Sequence, residues 1–340
     1  MHLMVFRGIT RLATGMILLA ACSNVDEGAK WQVVAHDLPA SLMSVWAGSP
    51  TNVWVVGGAP KDAMPIVEHY DGTTWTKFSL DASLVNVNLW WVKGFDDGQV
   101  FIGGDHNTLL RTTNGSSFDR MVPPPGKLTV FGIWGAASDD VWAVGGMGGN
   151  AAFIWHYDGV YWAEFAGLPA GLGTVWKVNG LAANDVWMSA TNNTVMHWTG
   201  TGTLDTTSLP DPDMQQNNMF SIGASSKRVI TVGGFDQGVL YENDGAGWTT
   251  PLPTSAGLLV LSGVTVSEDE AYAVGGGGEI FRSTSASQWA GEPSGTTEGL
   301  HEPFIDPSGE VWAVGGHFNA SPTNNGVLLH KGAALHGSFQ

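Results

Sequence analysis

Short apolar runs recur along the chain, each closed by glycine or a small polar turn, and no long stretch between them keeps the three-to-four spacing of an amphipathic helix. The most regular run, Asn52-Val-Trp-Val-Val-Gly-Gly58, returns around Phe101, Trp142, Trp187, Ile230, Tyr272 and Trp312, giving seven copies. The aromatic or apolar position that follows the first valine recurs at intervals of 47, 41, 45, 43, 42 and 40 residues. A period near 43 residues predicts an all-β chain of seven four-stranded blades closed into a β-propeller.

Within each repeat, strand A is an apolar run ending in a small residue, such as Phe131-Gly-Ile-Trp-Gly135. A tight polar turn leads to strand B, the V-W-x-V-G-G run. Strand C carries a hydrophobic-x-His pattern in Ile66-Val-Glu-His-Tyr-Asp-Gly72 and Phe153-Ile-Trp-His-Tyr-Asp-Gly159, and the Asp-Gly turn opens strand D at Trp75, Phe118, Trp162, Trp248 or Trp289. Asp-Gly between such runs is a hairpin signal, because type I′ turns need positive φ. The seventh repeat lacks an aromatic where strand D should begin, whereas Trp31-Gln-Val-Val-Ala35 matches Trp162-Ala-Glu-Phe-Ala166. Residues 31 to 35 are therefore expected to supply the outer strand of the last blade, with Ser338-Phe339 as the competing closure. A closed ring without a long free edge is expected to be a monomer.

The glycine pair after strand B, with the downstream Tyr70 and Trp75, resembles the kelch repeat. The Asp-Gly-x-x-Trp ending is similar to the Asp-box of sialidase-like propellers, with the Asp one residue closer to the aromatic. Blade four departs most, with Ser189-Ala190 for the glycine pair and Thr199-Gly200 for Asp-Gly. The resemblance covers residues 31 to 340 and speaks to architecture more than activity.

Composition changes the picture mainly at the amino end. Arg7 and Arg11 precede a short apolar stretch that is too brief to span a bilayer and ends in Leu19-Ala-Ala-Cys22. This resembles the lipobox of bacterial lipoproteins. It implies a signal peptide over residues 1–21, diacylglycerol on Cys22, the only cysteine, and a tether over residues 22–30. Ser23 in the following position implies an outer-membrane lipoprotein of the cell envelope. The eight residues Ser23 to Lys30 span at most about 29 Å, which holds the ring near the bilayer.

Formal charge is -17, from 14 Lys+Arg against 31 Asp+Glu, which excludes nucleic acid as a partner bound on a basic surface. The uniform A-to-B turns are expected to face the membrane. The uneven D-to-A and B-to-C loops are expected to face away and carry ligand specificity. Candidate ligand-binding residues are the strand-A starts Trp90, Phe131, Trp176 and Met219, together with loop residues Lys61, Asp62, Asp105, His106, Asn107, Phe235, Asp236, His317, Phe318 and Asn319. Most of the 16 Trp are expected to pack between blades. The strand-C histidines His69, His156, His197 and His330 stand a repeat apart and are read as bonded between strands, not as a metal site.

Chemistry is sparsely supplied. The mature chain holds Arg111, Arg120, Arg228 and Arg282, scattered where a sialidase would gather three arginines, and a galactose-oxidase-like copper site would need a cysteine beyond Cys22. No cofactor is expected besides the lipid. Loosely bound calcium is admitted at acidic turns such as Asp96-Asp97 and Asp139-Asp140. The function expected is non-catalytic binding of a protein or glycan through the variable loop face. The alternatives are a carbohydrate-active hydrolase or lyase of the sialidase-like kind, and a scaffold for envelope protein assembly.

Overall fold

A computed structural model describes residues 29–126, 128–147, 151–211, 214–252 and 257–340. The expected signal peptide over residues 1–21, Cys22 and most of the expected tether lie outside the described residues. The described chain forms seven sheets of four antiparallel strands, and the only helical elements are single turns at Ala82–Leu84 and Gly276–Gly278. The strands A are Leu42–Ser49, Leu89–Gly94, Thr129–Ala137, Val175–Ala182, Asn218–Ala224, Leu261–Val266 and Leu300–Ile305. Each packs beside strand A of the next blade, and that of blade seven packs beside that of blade one, so the ring is closed.

Closure follows the amino-terminal reading. Gln32–Leu38 pairs antiparallel with Asn324–Lys331 and completes blade seven. Trp31 just precedes this strand. Its indole meets Tyr272 of blade six edge-on at 5.9 Å and donates to Glu292 at 2.9 Å. The carboxyl-terminal segment lies on blade one instead. Phe339 packs on Trp75 at 4.9 Å, and Gln340 bonds Glu68 and the Trp75 carbonyl, so the closing strand and the carboxyl-terminal segment both pack on the seam between blades seven and one.

Seven apolar clusters, one at each blade seam, make the core. The tryptophan repeat explains them. A strand-B aromatic reaches across to an outer aromatic of the following blade, as in Trp54–Phe118, Phe101–Trp162, Trp187–Trp248 and Trp312–Trp75. The strand-C histidine lies directly opposite the strand-B Trp and stacks on it at 4.3 Å (His69), 4.4 Å (His156), 3.8 Å (His197) or 4.1 Å (His330). Its Nε2 meets Asn52, Asp140, Asp185 or Glu310, the residue beginning or preceding strand B. These imidazoles are inter-strand struts, and burial holds those of His69 and His330 below the ordinary histidine range.

The glycine signature has an equally direct cause. At Gly57, Gly104, Gly145, Gly233, Gly275 and Gly315 a β-carbon would collide with the carbonyl oxygen of Ser41, Asn88, Thr129, Asn218, Val260 and Gly299, respectively. The end of strand B thus runs against the start of strand A more closely than any side chain allows. Blade four places Ala190 at the equivalent pairing position, opposite Val175.

Candidate functional site

Immediately after that close approach, the register of every strand A slips by one residue. The slips fall at Met43, Trp90, Phe131, Trp176, Phe220, Ser262 and His301. A β-bulge re-aims the side chain it releases. Six of the seven bulged residues, all but the fully buried Met43, line one cavity of about 520 Å³ at the channel mouth. That volume is typical of small-ligand pockets. The mouth lies on the face of the D-to-A and B-to-C connections, since Phe235, Phe318 and Asn319 from B-to-C loops complete its lining.

The lining is an arc of rings. His301 packs on Phe318 at 4.9 Å and on Trp90 at 5.8 Å. Trp90 then meets Phe131 at 5.3 Å, Phe131 meets Trp176 at 4.9 Å, and Trp176 meets Phe220 at 5.1 Å. Most neighbours are tilted or edge-on, the arrangement favoured by ring quadrupoles. Asp105 fixes the first indole by accepting from Trp90 Nε1 at 2.8 Å, and it also holds Asn88 and Thr129.

Lys177 and His301 form the polar part of the floor. Lys177 Nζ donates to the Phe131 carbonyl at 2.9 Å and stands 4.1 Å over the Trp91 ring. Burial lowers its pKa to about 8, with Glu302 acting in the opposite sense. Glu302 belongs to strand A of blade seven, and burial raises it to about 8 against the pull of Lys177. His301 is pushed down to about 3 by burial, with Lys177 adding to the effect. Its Nδ1 donates to the Met43 carbonyl, which leaves Nε2 as an acceptor.

The cavity therefore gathers Trp90, Phe131, Trp176, Phe235, Phe318 and Asn319 of the sequence candidates. Met219 is instead fully buried in the seam between blades four and five, and its neighbour Phe220 takes the place at the mouth. Asp105 and Asn107 spend their polar atoms inside the protein, the latter on Gly126 and Leu128. His317 turns to Glu298 at 2.9 Å. Exposed Lys61, Asp62, His106 and Asp236 are not among the residues lining the cavity. Lys177, Asn218, Phe220, Val260, Ser262 and His301 were not singled out in the sequence. Lys177 carried a signal, as a cation inside the apolar run Val175-Trp-Lys-Val178.

At the opposite mouth the acidic turns cap their own backbones. Asp97 accepts from the Gln99 amide and also from the Ser138 hydroxyl of the next blade, and Asp306 accepts from the Ser308 and Glu310 amides. Among the described residues no group of three His, Cys, Asp or Glu side chains is placed to hold a metal ion. Residues 29–31 lie at this end, beside Glu270 and the 308–310 turn, so the chain enters the ring from the side opposite the aromatic cavity.

No family model and no curated protein matches the chain. Solved structures do. A YCF48 bound to D1 peptide superposes with TM-score 0.68 at 16% identity, over 91% of this chain and 96% of that one. A catalytically inactive virginiamycin B lyase from Staphylococcus aureus with quinupristin gives TM-score 0.66 at 14% identity, over 88% and 98%. U3-55K gives 0.65 at 12%, over 89% and 100%. Likeness at such identities establishes the propeller fold and says nothing of activity.

Proposed function

We propose that this chain is a binding propeller that receives an apolar, ring-bearing segment of a protein partner in the aromatic cavity, while lipid on Cys22 holds it in the cell envelope. The observation carrying this reading is the unbroken arc from Phe318 through His301, Trp90, Phe131 and Trp176 to Phe220. Water gains little from wetting such a surface, and burying it drives association. Exposed Phe235 extends the apolar surface to the rim.

A glycan would ask for open indole faces flanked by several planar hydrogen-bonding groups, whereas these rings mostly meet one another edge-on. A paired-carboxylate hydrolase would ask for two acids, and the described lining offers none. A histidine held near 3 is a weak general base at neutral pH. Entry of the chain opposite the cavity supports a ring whose binding mouth points away from the lipid.

Peptide and glycan arrays probed with the protein and its Trp176→Ala and Phe220→Ala variants test this reading. Ring-rich peptides should bind the parent and lose about 30-fold in each variant, the scale of an interface hot spot. Peptide binding that ignores both variants, or recognition of glycans alone, would overturn it. Replacing Cys22 with Ala should move the protein from the membrane fraction to the soluble one.

A further inference from the structure

The cavity's charge opposes that of the molecule. The chain carries -17, yet the described lining holds no Asp, Glu or Arg, and its one formal cation is Lys177. That side chain is 4% exposed, and of its three N–H donors one is spent on the Phe131 carbonyl. Glu302, also in the channel wall but three blades away, is 5% exposed, and its Oε2 has no hydrogen-bond partner. A buried ammonium and a buried carboxyl group thus stand under the aromatic arc with bonding capacity left over.

We infer that the cavity selects ligands ending in a carboxylate: the apolar or ring-bearing body packs against Trp90, Phe131, Trp176 and Phe220, and the carboxylate accepts from the Lys177 ammonium. The inference rests on the reading of this cavity as the binding site. An ammonium deprived of water gains most from an anion arriving with its own acceptors. The same cation repels amine-bearing ligands that the rings alone would attract.

Neighbouring groups agree with this choice. Burial drives Glu302 toward its neutral form, which weakens its repulsion of an incoming anion at neutral pH. His301, also on blade seven, is neutral. Phe131, whose carbonyl accepts from Lys177, and Trp91, whose ring lies under its ammonium, carry no charge. As pH rises through about 8 Lys177 loses its charge and Glu302 gains one, and both changes disfavour an anion.

Calorimetric titration of the full chain with phenylpropionate, phenylpropionamide and phenylpropylamine, and with short peptides ending in Phe as free acid or amide, tests the inference. The acid of each pair should bind at least about tenfold more tightly than its amide at pH near 7, and the preference should fade by about pH 9. In Lys177→Met the acid should fall to the level of the amide while amide binding persists; Lys177→Arg should keep the preference. Tighter binding of the small acid or of the peptide identifies the natural source. Equal binding of acid and amide overturns the carboxylate inference and leaves the aromatic site standing, as does tighter binding of phenylpropylamine. Absence of binding by every probe overturns both.

Discussion

Arg228 and Glu242 form a seam latch whose removal has a calculable cost. The Arg228 guanidinium donates to Glu242 at 3.1 Å, to the Ser283 hydroxyl at 2.7 Å and to the Ser283 carbonyl at 3.2 Å, joining blade five to blade six. The side chains are 5% and 1% exposed, so water cannot replace either partner. Arg228→Met leaves the Glu242 carboxylate buried with only the Ser287 amide and the Trp289 indole as donors. Losing one member of a buried pair costs about 3–5 kcal/mol. At about 2–4 °C per kcal/mol, the melting temperature should fall on the order of 10 °C. Arg228→Met combined with Glu242→Met removes both charges and should recover most of the loss, because the pair's attraction is largely offset by its desolvation. Urea unfolding followed by tryptophan fluorescence, with calorimetry as a second probe, measures all three variants. A single variant within about 0.5 kcal/mol of the parent, or a double variant less stable than the single one, would refute the reasoning.

Other expectations follow from the same packing. Burial lifts Glu68 to about 7, despite donation by the Gln340 amide, so the folded state holds this proton more firmly than the unfolded chain. Its contribution to stability is complete below about pH 4.5 and is lost as pH rises toward 7, a change of about 2–3 kcal/mol. Glu68→Gln should erase that slope, and a difference in urea midpoints between the two proteins that stays flat from pH 4 to 8 would contradict it. Gly145→Ala drives a β-carbon into the Thr129 carbonyl and should cost about 1–3 kcal/mol in thermal unfolding. Ala190→Gly in blade four should change stability by less than about 1 kcal/mol, the entropic cost of glycine in a strand. Phe339→Ala removes a ring from Trp75 and should lower stability without altering ligand affinity.

Much of this architecture was legible because a propeller repeats its physics. An aromatic on six of the seven strands B, a histidine opposite four of them and a glycine at the close approach in six blades each recur for a single packing reason, so the period named the blades. Trp31, matched to Trp162, disclosed the closing strand in the same way. The mouth was legible only in part. Counting back a fixed fourteen residues from the strand-B glycine, or from Ala190 in blade four, reaches Trp90, Phe131 and Trp176 correctly but lands on Met219 in blade five. The A-to-B connection there is one residue shorter, since Gly223 pairs with Ile230 seven positions on, whereas Trp134 pairs with Trp142 eight positions on. That one-residue difference exchanges seam for channel. Lys177 and Glu302 escaped notice because a charge within one strand of one blade has no counterpart in the period, and its meaning depends on the facing blade. Asp105 and Asn107 looked like loop ligands, since hydrogen bonds to residues in the adjoining loop and blade leave no trace in local sequence.

A crystal structure of the protein with a Phe-terminated peptide is the most direct test of the binding mouth. Density for the peptide's terminal ring among Trp90, Phe131, Trp176 and Phe220, with its carboxylate against Lys177, is the expected result. Density at the acidic mouth or along an outer blade edge, with this cavity filled by solvent alone, would contradict it.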